Sequence, residues 1–369
     1  MEKKKLYIIL GSITGAIVVV ILGVVIFGVM ANSKLSYNEV ETKMIKATEK
    51  YYLSNKNLLP KIEGEEVSLD VSTLVAGKYM KSLSDLLDKN TSCQGKVTVK
   101  KNGERYFYNP SLTCGDKYST KTLREVIIGK TDLTSDGSGI YDLNGEKVFR
   151  GENPNNYVSF AKGIWRIVKV DKKGNIELIS YNNDISKSSV LWDDRYNAEK
   201  DSTVGINDYP KSRIRETLVN YYNNEKFFTE LDKARMIANN FCIGKRSKTD
   251  TSKDGSAECG QVMELEPIGL LPVYDVLNAS LDLNCKATKD SSCQNYNYLV
   301  KQGDKITNSN YWLGTATAED TYNVYTSYVG TVAEKRAGST ASLRPVIYLN
   351  SNVLFSKGLG TLDNPYIIK

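Results

Sequence analysis

Apolar residues are spaced in three ways along this chain. From Leu6 to Met30 they run on for 25 residues without a charged side chain. A helix of that length is about 37 Å long against a hydrocarbon core of about 30 Å, so the run predicts a tilted transmembrane helix over residues 6–31. From Val40 the spacing becomes helical. Val40, Met44, Ala47 and Tyr51 share one face, and Lys43, Lys46, Glu49 and Lys50 lie mostly on the other. Ser36 and Glu39 form an S-x-x-E capping box in front of this pattern and Pro60 lies beyond it, which predicts a helix of about 15 residues. Asp70 and Gly77 bracket a second, short helix over Val71 to Ala76.

Alternation takes over after that. Gly95 to Lys100 alternates, Lys101-Asn102-Gly103-Glu104 turns and Arg105 to Tyr108 returns, a β-hairpin. These elements predict a small helix-plus-antiparallel-sheet domain over 33–128. Thr131 to Gly139 and Asn153 to Asn156 are rich in turn residues, so 129–156 reads as a linker. A larger α+β domain is expected over 157–369. It opens with a hairpin, Gly163 to Val170 returning through Asn175 to Ser180. Pro210 leads a helix with Ile214, Leu218, Tyr221 and Tyr222 on one face, and Phe227, Leu231 and Ala234 continue a helical pattern. Late strands are expected at Tyr311 to Gly314, Tyr322 to Val329 and Leu343 to Leu349. Trp165 and Trp312 fall in strands and read as core.

Charge sets the topology. Lys3, Lys4 and Lys5 precede the apolar run, so the positive-inside rule leaves residues 1–5 in the cytoplasm and places the chain after Ala31 outside the cell. A cleaved signal peptide ending at Val29-Met30-Ala31 is the competing reading, but such apolar regions run to about 7–15 residues. Either reading exports the rest. Gly11 and Gly15 also make a GxxxG spacing suited to helix pairing. The six cysteines, Cys93, Cys114, Cys242, Cys259, Cys285 and Cys293, contain no CxxC pair. An even count in an exported chain predicts disulfides, and sequential pairing keeps each bridge within one domain: Cys93–Cys114, Cys242–Cys259 and Cys285–Cys293. Free buried thiols are the alternative. The polar stretch from Gly244 to Gly260 then reads as a stapled surface loop.

Composition removes whole classes of chemistry. There is no histidine among 369 residues, which excludes Ser-His-Asp and Cys-His catalysis and imidazole-ligated metals. The net charge of +6 is spread along the chain, so no nucleic-acid partner is expected. Tyrosine is abundant, 24 against 8 Phe; exposed rings of this kind stack on sugars and contact proteins, while an AT-rich coding bias enriches the same residue.

The late residues carry a resemblance. Trp312-Leu313-Gly314, a following strand with Gly330, and Arg344-Pro345-Val346 resemble the core of the C-type-lectin and formylglycine-generating-enzyme superfamily. That resemblance implies a C-type-lectin-like fold for residues 157–369. The lectin motifs themselves are altered: Glu266-Pro267-Ile268 stops one residue short of Glu-Pro-Asn, Trp192-Asp193-Asp194 echoes Trp-Asn-Asp, and the two occur in reversed order. No cysteine follows Cys293, so the oxidase chemistry of that superfamily is not implied. The N-terminal layout resembles type IV pilin-like proteins without their peptidase signature. The whole layout resembles single-pass exported proteins of low-GC Gram-positive bacteria.

Candidate chemistry is sparse. Asn182, Asn183 and Asp184, and separately Asp193 and Asp194, offer oxygens to calcium, but lack the register of a calcium loop, so no metal or other cofactor is expected. Glu264 and Glu266, two apart on a strand, would share a face and suit glycoside hydrolysis. No nucleophile has a base beside it. The expected protein is a membrane-anchored extracellular binding or adhesion protein, non-catalytic, with a cell-surface glycan or protein ligand and the lipid bilayer, through residues 6–31, as partners. A pilin-like structural subunit is the alternative and a wall-acting hydrolase the second.

Overall fold

A computed structural model describes residues 34–62, 64–87, 92–102, 105–182, 189–300, 310–328 and 331–369. The expected membrane helix, its GxxxG spacing, the turn at Gly103-Glu104, Asn183, Asp184 and Gly330 lie outside the described residues. Among the described residues no helix is long and apolar enough to cross a membrane. The chain is α+β and divides into two compact units, meeting in sequence at Thr120 and Lys121.

In the first unit, α1 (Tyr37–Ser54) starts at the expected box: the Ser36 hydroxyl accepts from the Glu39 amide, and the Glu39 carboxylate accepts from the Ser36 amide at 2.8 Å. β1 (Glu66–Asp70) leads into α2 (Val71–Ala76), followed by the one-turn α3 (Leu83–Leu86). Asp70 stands at the N-cap of α2 without a side-chain cap bond, and Gly77 closes it at φ −77°, not in the left-handed form usual for a terminating glycine. β2 (Gln94–Asn102), β3 (Arg105–Cys114) and β4 (Tyr118–Ser119) complete an antiparallel sheet in the order β1-β2-β3-β4. Val40, Met44 and Ala47 of α1 pack with Val97, Val99 and Leu112 of the sheet, and Cys93–Cys114 closes the open end of the β2–β3 hairpin.

The second unit begins earlier than the sequence suggests. Residues 123–128, placed in the first domain with no element assigned, form α4 (Leu123–Ile128), which buries Leu123 and Ile127 in the second core. The expected linker contains β5 (Gly139–Leu143) and β6 (Glu146–Arg150), which pair with each other, and β6 also pairs with β8 (Gly163–Val170). Arg150 pins this stretch by donating to the carbonyls of Asn278 (2.8 Å) and Ser280 (2.6 Å). Turn residues mark the tight corners of this ribbon, so composition alone mistakes it for a tether.

β7 (Tyr157–Phe160), β8 and β9 (Ile176–Asn182) form the spine of the large sheet. Short β10 (Ser189–Leu191) follows, then α5 (Arg213–Asn223), α6 (Glu230–Arg235), and a two-stranded ribbon of β11 (Asn239–Cys242) and β12 (Val262–Glu266). α7 (Val273–Asn278) precedes β13 (Tyr311–Ala316), β14 (Asn323–Tyr328), β15 (Thr331–Arg336) and β16 (Thr340–Ser342). Those four strands and β10 make a second sheet in the order β10-β16-β13-β14-β15. β17 (Val346–Leu349) returns beside β9; β18 (Phe355–Lys357) and β19 (Tyr366–Ile368) join the far edge, β19 parallel to β7. Trp165, Trp192 and Trp312 are all fully buried in this unit's core. The remaining cysteines pair as expected, Cys242–Cys259 and Cys285–Cys293.

Candidate functional site

The altered lectin-like tripeptide turns out to be scaffolding. Trp192 donates its indole N–H to the Leu313 carbonyl (3.2 Å) and packs its ring against Tyr209 at 5.9 Å between centroids. Asp193 is buried, accepts from the Ile206 amide (3.1 Å) and is clamped by the Arg195 guanidinium at 2.8 Å. Asp194 instead faces Arg213 at 2.9 Å. The two carboxylates therefore go to separate cations, and neither is left to a metal. Among the described residues no group of three or more His, Cys, Asp or Glu could hold a metal ion.

That scaffold fixes one wall of a cavity of about 240 Å³. Its polar lining is Asn207, Asp208, Lys245, Gln261 and Thr321; Ile206, Tyr209, Pro210 and Ile243 supply the apolar part. Asn207 is immobilised: its amide N–H groups donate to the carbonyls of Thr317 (3.3 Å), Asp320 (2.8 Å) and Asn323 (3.0 Å), and its oxygen accepts from Lys245 Nζ at 2.9 Å. One ammonium hydrogen is thus spent on Asn207, which leaves two that can serve a ligand. Asp208 lies 3.9 Å from both Arg195 and Lys211, loose pairings that keep its carboxylate competent to accept. The Tyr209 hydroxyl is buried with no hydrogen-bond partner among the described residues, and burial holds its pKa well above the usual phenol range. It stays protonated, an uncharged group on one of the lining residues, with Glu266 and Arg215 as its charged neighbours. A rigid frame with one ammonium, one carboxylate and amide and hydroxyl groups around an apolar base suits hydroxyl-bearing ligands.

The expected glutamate pair does not share a face. Glu264 is exposed, Leu265 adopts φ 53°, and Glu266 is buried at 2.7 Å from Arg215. The left-handed residue between them breaks the two-residue alternation on which the expectation rested. In the first unit, a cavity of about 910 Å³ beside Cys93 has Asp70 as its sole ionisable lining residue.

The sequence reading missed a second ionic group. Lys169 on β8 is 3% exposed and lies 3.0 Å from Asp275, 3.5 Å from Glu177 and 3.4 Å from Glu146. It also donates to the Tyr274 hydroxyl at 3.0 Å. Asp275 and Glu177 are buried, and Glu146 opens the cluster to solvent. The available signal was the strand itself. Gly163-Ile164-Trp165-Arg166-Ile167-Val168-Lys169-Val170 is apolar on both faces, so Arg166 and Lys169 had to find buried partners. Arg166 finds Asn156 (2.8 Å) and the rings of Tyr157 and Tyr298, both at 4.3 Å.

Burial pushes the Glu177 carboxyl up to about 8, against the pull of Lys169. Between its ordinary value and that value, the folded chain holds a proton that the unfolded chain has lost. Stability therefore falls as pH rises through this window and is greatest at its acid end. With no histidine in the chain, and with burial pushing the neighbouring Asp275 carboxyl up only to about 6, the window between about pH 6.5 and 7.5 is left to Glu177. Thermal melts across that range should show a loss of about 1.4 kcal/mol per pH unit, the value for one proton, and Glu177→Gln should flatten the slope. A wild-type profile already flat there would mean that Glu177 is ionised in the fold.

Comparison with protein-family models, curated proteins and solved structures returns no match to this chain.

Proposed function

We propose that this chain is a membrane-anchored extracellular binding protein, non-catalytic, whose second unit takes a polysaccharide. Residues 6–31 serve as the anchor, and residues 157–369 are a C-type-lectin-like domain with its sugar motifs rebuilt. The observation that carries the reading is the pocket: Lys245 and Asp208 face one cavity of about 240 Å³ whose frame Asn207 locks with three bonds to backbone carbonyls. Sugars present adjacent hydroxyls, each able to accept from an ammonium and donate to a carboxylate. Glu266 is committed to Arg215 and Asp193 to Arg195, which leaves those carboxylates unsuited to acid–base work and favours binding over hydrolysis.

The test is a glycan array probed with the full chain in detergent, followed by titration of each captured glycan. Lys245→Ala and Asp208→Ala should each weaken binding about tenfold or more, the usual loss for a charged hydrogen bond, with melting unchanged. Capture unaffected by both substitutions would place recognition elsewhere. Shortened glycan products on chromatography would replace binding with hydrolysis.

A further inference from the structure

The first unit carries a second feature that the sugar pocket does not use. A groove of about 480 Å³ runs along α1, lined by Lys43, Lys46 and Lys50 of that helix and Lys81 opposite. All four lysines are exposed, and none makes an ion pair within 4.0 Å among the described residues. Asp85 is the one acidic lining residue, so four positive charges face one negative. Leu35, Ala47, Met80 and Leu86 add apolar surface to the same groove. The mouth is fixed by Leu35, whose amide donates to the Leu86 carbonyl at 2.9 Å, and by Lys34, whose ammonium donates to the Asp85 carbonyl at 3.0 Å.

We propose that this groove takes the phosphate headgroups of anionic phospholipids in the bilayer that residues 6–31 enter. The inference rests on the anchor reading above and adds to it an oriented contact with the lipid surface. Two observations single out lipid from among phosphate-bearing ligands. Ammonium groups beside an apolar wall match the junction of headgroup and acyl chain, where lysine stems lie along apolar surface and their charges reach phosphate. The tether is also short. Ala31 to Leu35 is four residues, which reach at most about 14 Å, so the groove mouth stays close to the point where the chain leaves the membrane. That reach is comparable to the screening length of about 10 Å at 0.1 M salt, so the mouth at Leu35 lies within the field of an anionic surface, and with α1 lying along that surface Lys43, Lys46 and Lys50, which span about 10 Å of helix, enter it too. A single apolar segment anchors the chain without orienting it; a basic groove at its exit adds the second, directional contact.

The test uses the full chain in nanodiscs of phosphatidylcholine alone or mixed with phosphatidylglycerol. Lysines are labelled with a water-soluble acetylating reagent, and the rates are read by mass spectrometry. Lys43, Lys46, Lys50 and Lys81 should acetylate about fivefold more slowly in the anionic discs, the ratio corresponding to about 1 kcal/mol per lysine at such a surface. Lys172 and Lys173, exposed in the second unit, should label equally in both discs. High salt should erase the difference, and Lys46→Glu with Lys50→Glu should abolish it at Lys43 and Lys81. Equal rates in the two discs overturn the proposal. Equal protection by inorganic phosphate in phosphatidylcholine discs also overturns it, by making the ligand a free anion. A chain that fails to co-elute with either disc defeats the anchor reading and the proposal with it, an outcome distinct from co-elution with equal rates.

Discussion

Lys169→Ala is expected to destabilise the second unit by about 3–5 kcal/mol, the cost of leaving a buried charge without its partner. Asp275 stands 3.0 Å from the ammonium and is 2% exposed, so its carboxylate loses its cation in a nearly dry site whose solvent edge is at Glu146. Glu177, at 1% exposure, is held neutral by burial near pH 7, so the stranded charge is that of Asp275. The side-chain volume lost from β8 adds a cavity term of the same sign. For a unit of this size the melting temperature should fall by about 10 °C. The readout is selective because all three tryptophans, Trp165, Trp192 and Trp312, lie in the second unit, so their fluorescence follows that unit alone. Lys169→Met combined with Glu177→Gln and Asp275→Asn should recover most of the loss, since apolar or neutral replacement of a whole buried network is often tolerated. A loss below about 1 kcal/mol in Lys169→Ala would show that solvent reaches the cluster through Glu146.

What the sequence revealed and what it hid divide along the range of the interactions involved. The capping box at Ser36 and Glu39 acts within one turn, and it is present as read. The Cys242–Cys259 and Cys285–Cys293 bridges close loops of 17 and 8 residues in sequence separation, so proximity along the chain was a sound guide to pairing. The hairpin of β8 and β9 needed only alternation and a turn. The edge of the second unit failed for the opposite reason. Leu123 and Ile127 look like part of a small first domain until Val158 and Val353 stand beside them in one core. The pocket is harder still. Asn207, Lys245 and Thr321 come from three loops, and no local pattern relates them. The abundance of tyrosine left recognition and coding bias both open; in the pocket Tyr209 is a buried lining residue beside charged and amide groups. The most legible clue left unread was a lysine inside an apolar strand, because a buried ammonium demands carboxylates whose positions only the tertiary fold supplies.

Arg246→Ala is expected to be as costly as the lysine change and to remove the proposed glycan binding as well. Arg246 is fully buried; it donates to Glu258 at 2.9 Å and to the carbonyls of Asp250 (3.1 Å) and Ser252 (2.7 Å). Its backbone is tied too, the amide to Ala316 and the carbonyl to Ala318. The stretch from Gly244 to Gly260, read as a polar surface loop, is thus wound around one buried guanidinium. Loss of that fork leaves the fully buried Glu258 with the Tyr274 amide (3.1 Å) but no cation, and costs about 3–5 kcal/mol. Lys245 is the preceding residue, so the ammonium of the pocket loses its support and the proposed glycan binding should fall at least tenfold. Reducing Cys242–Cys259 should cost about 2–4 kcal/mol by loosening the unfolded chain's constraint, yet retain binding while Arg246 still organises the loop. That contrast separates the two clamps: the disulfide limits the loop's excursions, and the guanidinium sets its shape. Arg246→Lys should behave more like Ala than like the parent, because a point charge cannot bridge the Glu258 carboxylate and two carbonyls with a planar fork. Full binding in Arg246→Ala would mean that the bridge alone shapes the loop and that Lys245 is positioned from the Asn207 side.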